Sequence, residues 1–113
     1  MSENVTCALV NKNHDLKEIL KIKDKVIALF HASWCPFCIR FVPIFLKTAD
    51  REGQHFVMVQ DDQETIAEKY SVKAYPTVLF FEKGVVSKRL DGVSGIGLDE
   101  KQLVEFVGLC PLS

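Results

Sequence analysis

Residues 26–30, Val-Ile-Ala-Leu-Phe, form an unbroken apolar run, and this run most constrains what the chain can fold into. A strand wetted on one face alternates apolar with polar residues, whereas a continuous run belongs to a strand covered on both sides. Helices must then flank the sheet on both faces. The run leads within four residues to Trp34-Cys35-Pro36-Phe37-Cys38, and an amphipathic stretch follows.

Cys38, Phe41, Val42, Phe45 and Leu46 gather on one helical stripe, while Arg40 and Lys47 fall off it. The motif therefore opens a helix, expected to run to about Asp50 with a kink at Pro43. Cys35 stands at its cap, where unpaired N–H groups and the positive end of the helix dipole favour an anion. Pro36 suits the first helical position, since the N–H it lacks has no partner there. A thiolate is stabilised at Cys35, and Cys38 faces inward behind it. Thiol–disulfide exchange requires this division into one thiol that attacks and one that resolves.

The remaining pattern alternates. A short strand at 8–10 precedes a helix at 15–21 with Leu16, Ile19 and Leu20 on one face and a capping box from Asp15 to Glu18. After a break at Gly53 come a strand at 56–59, a helix at 63–70 and a β-branched, aromatic strand at 77–81. Glu82-Lys83-Gly84 reads as a hairpin turn into a strand at 85–90. The last helix starts at Asp99, with Gln102 completing a capping box and Leu98 stapling to Leu103. The order β-α-β-α-β-α-β-β-α predicts an α/β fold, a central mixed β-sheet flanked by helices on both faces. One domain over 1–113 is expected, because this length with 48% hydrophobic residues supplies one core.

A net charge of −1 without a basic block argues against nucleic acid or an anionic membrane as partner. No apolar run approaches the roughly 20 residues of a membrane span. Met1-Ser2-Glu3-Asn4 is acidic and the apolar stretch at 7–10 is too short for a signal core, so a complete chain is expected in the cytoplasm. Four cysteines outside a secretory context do not imply a disulfide framework. Cys110 continues the stripe of Leu103, Phe106 and Val107 and reads as a buried inert thiol, as does Cys7.

Trp34-Cys35-x-x-Cys38, Pro43 five residues on, Tyr75-Pro76-Thr77, Lys83-Gly84 and Gly92 together resemble the thioredoxin family over nearly the whole chain. The resemblance implies a thioredoxin fold and a dithiol–disulfide oxidoreductase with Cys35 as nucleophile and Cys38 as resolving thiol. It implies a cis Pro76 beside the sulfurs and a substrate-docking surface of Trp34, Pro36, Phe37, Tyr75, Pro76 and Gly92. No metal or organic cofactor is implied, because the cysteine pair is itself the redox couple. The implied partners are disulfide-bearing proteins and, as electron donor, a thioredoxin reductase or similar dithiol system.

The departures from the family are equally specific. Pro36-Phe37 replaces the usual Gly-Pro and resembles glutaredoxins and bacterial disulfide oxidases; Phe37 either shapes the docking face or is a simple exposed aromatic. Leu29 stands where the family keeps a buried aspartate, and Val57 where it keeps the partner lysine, so an apolar floor beneath the sulfurs is expected. His31 is either a substitute base for Cys38 or a packed core histidine; His14 and His55 carry no signal. The alternatives are a glutathione-dependent, glutaredoxin-like reductase, a disulfide oxidase or isomerase, and a metal or iron–sulfur scaffold. The first lacks a Gly-Gly-x-Asp-Asp segment, and the last has two clustered thiolates per chain where four are usual.

Overall fold

The unbroken apolar run becomes β2 (Lys25–His31), the middle strand of a five-stranded sheet ordered β1-β3-β2-β4-β5. The structure, a computed structural model, describes residues 7–52 and 55–112. The other strands are β1 (Cys7–Val10), β3 (Phe56–Gln60), β4 (Thr77–Glu82) and β5 (Val85–Leu90). The helices are α1 (Asn13–Ile22), α2 (Pro36–Glu52), α3 (Thr65–Lys69) and α4 (Glu100–Leu109). β1, β3 and β2 run parallel, while β4 and β5 join antiparallel, so the sheet is mixed as expected.

Alternation along β2 explains why no polar residue interrupts it. Val26, Ala28 and Phe30 pack with Leu16 and Leu20 of α1 and with Ile66 and Ala67 of α3. Ile27 and Leu29 pack with Phe41 and Phe45 of α2 and with Leu103 and Phe106 of α4. Burying one such side chain stabilises the fold by about 1.5–3 kcal/mol, and the edge-on Phe45–Phe56 pair, centroids 5.5 Å apart, adds ~1 kcal/mol. The β4–β5 turn places Lys83 at φ 53° and Gly84 at φ 82°, the doubly left-handed turn whose twist matches its strands.

α4 forms its capping box, with Gln102 N–H donating to Asp99 Oδ1 at 2.8 Å and Asp99 N–H to Gln102 Oε1 at 2.9 Å. The box expected at Asp15 does not form. α1 begins at Asn13 with Lys12 as an uncapped N-cap, which puts Asp15 in the first turn, where its charge meets the dipole instead. α3 starts later than expected, because Glu64 takes φ 62° and the helix is capped from outside by Asp61, whose Oδ2 accepts Ala67 N–H at 2.7 Å.

α2 runs through Pro43 as one helix. Its inward positions are Cys38, Phe41, Phe45, Thr48 and Ala49; Val42 is half-buried and Leu46 is exposed, against expectation. Leu46 lies about 80° around the helix from Cys38, on the side away from Phe41, and so leaves the core-facing stripe. Gly53 and Met1-Ser2-Glu3-Asn4 lie outside the described residues. No helix among the described residues is long and apolar enough to cross a membrane.

Candidate active site

β2 ends at His31 and α2 begins at Pro36, so the cysteine motif turns the chain across the end of the sheet. The carbonyl of Cys35 accepts the N–H groups of Cys38 and Ile39 at 3.1 Å each, which fixes Cys35 as the residue that starts the helix. The Cys38 N–H also reaches Cys35 Sγ, at 3.3 Å. On the other side, the Cys35 thiol has the Tyr75 carbonyl at 3.7 Å. Cys35 is only 4% exposed, more covered than a helix-mouth position suggests, because the Tyr75 backbone lies against it.

Cys38 is 1% exposed, and its thiol is pushed up to about 12. Burial is the main cause, followed by its hydrogen bond with Cys35; a backbone hydrogen bond from Ala32 opposes, and the Cys35 charge adds to the rise. The inner sulfur therefore rests as a thiol.

Two adjacent acids, Asp61 and Asp62, at the end of β3 organise the surroundings, and the sequence pattern singles out neither. Asp61 is buried, and its Oδ2 accepts the Tyr75 hydroxyl at 2.9 Å as well as the Ala67 N–H. Burial and this bond push the Tyr75 phenol far above its ordinary value, so it remains a donor. Asp62 accepts Ser33 N–H at 2.8 Å and Ser33 Oγ–H at 2.7 Å, and these bonds hold its carboxyl below the usual range. Its carbonyl accepts the indole N–H of Trp34 at 2.8 Å. Trp34 thereby stands half-exposed beside the Tyr75 ring, centroids 5.8 Å apart. A signal existed in retrospect: an acidic pair just beyond the apolar run at 56–59.

The Tyr75-Pro76 bond is cis. Gly92 is required beside it, since a Cβ there would fall on the Pro76 carbonyl oxygen. The Gly92 N–H donates to Thr77 Oγ1 at 3.1 Å, and that hydroxyl donates to the Ala74 carbonyl at 2.7 Å. Tyr75 thus lies against Cys35, Trp34 packs on Tyr75, and Gly92 packs on the neighbouring Pro76. Phe37 is half-buried with the Arg40 guanidinium 5.8 Å from its ring centre, so it is not a simple exposed aromatic.

The expected floor of Leu29 and Val57 is corrected by strand register. Ala28 pairs with Val57 and Leu29 with Met58, so Leu29 and Val57 point to opposite faces of the sheet. Val57 shares the cluster of the two sulfurs, whereas Leu29 packs against α2 and α4. His31 is buried with Nε2 unpartnered, and burial lowers its pKa against the opposing charge of Asp62. The groups acting on Cys38 do not include it, which favours the packed histidine over the substitute base.

The thioredoxin family model matches residues 5–107 of this chain. The chain belongs to the thioredoxin family. It is 42% identical to a thioredoxin of Mycoplasma genitalium over 79 residues, covering 68% of this chain and 78% of that protein. It is 36% identical to a thioredoxin H-type of Oryza sativa subsp. indica over 113 residues, covering 94% of this chain and 90% of the other. Protein disulfide-isomerase A5 of Bos taurus is 36% identical over 81 residues, which are 66% of this chain and 16% of that much longer protein. The thioredoxin of Schistosoma mansoni superposes with a TM-score of 0.78 at 23% identity, covering 90% of this chain and 93% of that one, a likeness of fold. Among the described residues no group of three or more His, Cys, Asp or Glu side chains is placed to hold a metal ion.

Proposed function

We propose that this chain is a protein dithiol–disulfide oxidoreductase that works as a disulfide reductase. The observation that carries the reading is the Cys38 N–H donated to Cys35 Sγ at a helix start, beside a second thiol held protonated. The Cys35 thiolate attacks one sulfur of a substrate disulfide, forming a mixed disulfide and expelling the other sulfur as a thiolate. Cys38 then gives up its proton and attacks Cys35 Sγ, closing the Cys35–Cys38 disulfide and releasing the second substrate thiolate. The substrate gains two electrons and the cysteine pair loses two.

The absence of a carboxylate among the groups acting on Cys38 does not block the second step. Two of the influences that raise the Cys38 thiol come from Cys35, its hydrogen bond and its charge. Both lapse once Cys35 is bonded to substrate, so Cys38 is easier to ionise in the intermediate that needs it. Trp34, Pro36, Phe37, Tyr75, Pro76 and Gly92 form the face that receives the substrate segment. Disulfide-bearing proteins are its substrates, a thioredoxin reductase or similar dithiol system returns the electrons, and a reducing compartment such as the cytoplasm suits this direction. No metal or organic cofactor enters the cycle.

The equilibrium reduction potential of the Cys35–Cys38 pair in a graded glutathione buffer, with Cys35→Ser as blank, tests the direction of electron flow. A value near about −270 mV supports the reductase; a value of about −200 mV or higher makes the chain glutaredoxin-like, an oxidase or an isomerase.

A further inference from the structure

Arg89 stands on the edge strand β5, yet its side chain is tied to residues of two separate segments. It pairs with Leu79 of β4, whose side chain belongs to the cluster beneath α1 and α3, so Arg89 projects on that same face of the sheet. There the guanidinium donates from Nη1 to the Tyr70 carbonyl at 2.8 Å and from Nη2 to the Ser71 carbonyl at 2.9 Å. Nε and Nη2 also donate to the two carboxylate oxygens of Asp91, at 3.2 Å and 2.9 Å. One planar group thereby joins three residues, a task that suits the rigid fork of arginine and not the point charge of lysine.

Both segments lead to the active site. Tyr70 is the C-cap of α3, and Ser71 takes φ 56°, a left-handed conformation that an L-residue keeps where its surroundings fix it. Carbonyls at a helix end lack a ladder partner, and the guanidinium supplies one. Beyond Ser71 the chain reaches Tyr75, whose carbonyl lies 3.7 Å from Cys35 Sγ. On the other side, Asp91 precedes Gly92, which sits so close to the Pro76 carbonyl that no Cβ fits. The Gly92 N–H donates to Thr77 Oγ1 at 3.1 Å. The guanidinium therefore closes a ring that runs from the end of α3 through Tyr75 and Pro76 to Gly92 and Asp91. Asp61 holds the Tyr75 side chain from within, and Arg89, its side chain 31% exposed, fastens the ring from outside. Exposed ion pairs contribute little to stability, so the consequence expected of this one is positional.

We propose that Arg89 is a positioning residue for thiol–disulfide exchange. Its guanidinium keeps the backbone of Tyr75 and Pro76 in place while a substrate chain seats beside Cys35. The proposal rests on the oxidoreductase reading and adds to it a residue remote from the sulfurs.

The test follows single-turnover oxidation of the pre-reduced full-length protein through the fluorescence of Trp34, the single tryptophan, with insulin and 2-hydroxyethyl disulfide as probes. Arg89→Lys, which keeps the charge and loses the fork, is expected to raise the half-saturating insulin concentration about fivefold while the limiting rate stays within about twofold. The rate on 2-hydroxyethyl disulfide, too small to lie along the Tyr75 backbone, should also stay within about twofold. Asp91→Asn, which keeps the shape and removes the charge that orients the fork, should raise the half-saturating insulin concentration about twofold. Should Arg89→Lys not fold, Asp91→Asn decides by the same split. An unchanged half-saturating concentration, or an equal loss of rate on both probes, overturns the positioning role alone. A wild type that reduces neither probe overturns the oxidoreductase reading and this inference with it.

Discussion

Cys35 and Cys110 are buried almost equally, 4% and 6% exposed, and each stands at the end of a helix, yet the structure prepares them for opposite fates. Cys35 precedes the first residue of α2 and its sulfur receives a backbone N–H. Cys110 caps the last turn of α4, donates its S–H to the Phe106 carbonyl at 3.3 Å, and is pushed up to about 11 chiefly by burial. A helix start favours an anion and a helix end disfavours one. The two sulfurs thus differ in the polarity of their helix end and in the partner they are offered, not in exposure.

The largest expected effect breaks this comparison outright. Cys35→Ser should lower the rate of insulin disulfide reduction by about 100-fold or more, while Cys110→Ser leaves it within about twofold. Comparable losses from both substitutions would mean that the two helix ends do not differ in function.

A finer contrast comes from labelling. Under native conditions near neutral pH, iodoacetamide should modify Cys35 about 10-fold faster than Cys110, and the two should converge in denaturant, as read by peptide mass spectrometry. A difference that survives denaturation cannot come from the fold.

Tyr75→Phe sharpens the comparison by disturbing only the Cys35 end. It removes one of the donors to the buried Asp61 carboxylate and should cost about 1–2 kcal/mol in urea unfolding, whereas trimming the exposed Leu109 to Ala near Cys110 should cost far less. Equal costs would show that Asp61 does not anchor the site.

The smallest expected effect concerns pH. His31 has its pKa lowered in the fold from 6.5, so below about pH 6.5 the unfolded chain binds the proton that the native chain resists. Stability is then lost as pH falls through that range, and His31→Phe should lose less melting temperature between about pH 7 and pH 5 than the wild type. The same loss in both proteins would assign the acid sensitivity to carboxylates such as Asp62.

Much of the fold was legible because local signals agreed with one another. The unbroken run at 26–30 implied covered faces, Lys83-Gly84 implied the hairpin, and Asp99 with Gln102 implied the last cap; all three reflect short-range rules that tertiary structure had no reason to override. The Cys35–Cys38 pair was legible from its spacing at a helix start, and Trp34, Tyr75, Pro76 and Gly92 from the resemblance to the family. What stayed hidden depends on register and on long-range partners. Leu29 and Val57 are separated by a one-residue offset between β2 and β3, which no single strand reveals. Asp61 reaches Tyr75 fourteen positions away and Gly97 meets Phe37 sixty positions away, contacts that only the folded chain creates.

Cys38→Ser offers the most direct test of which sulfur attacks, because without the resolving thiol the mixed disulfide cannot be cleared. Incubating this variant with a protein disulfide and mapping the trapped bond by mass spectrometry should find Cys35 joined to the substrate. A trapped bond at Cys110 or Cys7, or none at all, would contradict the account.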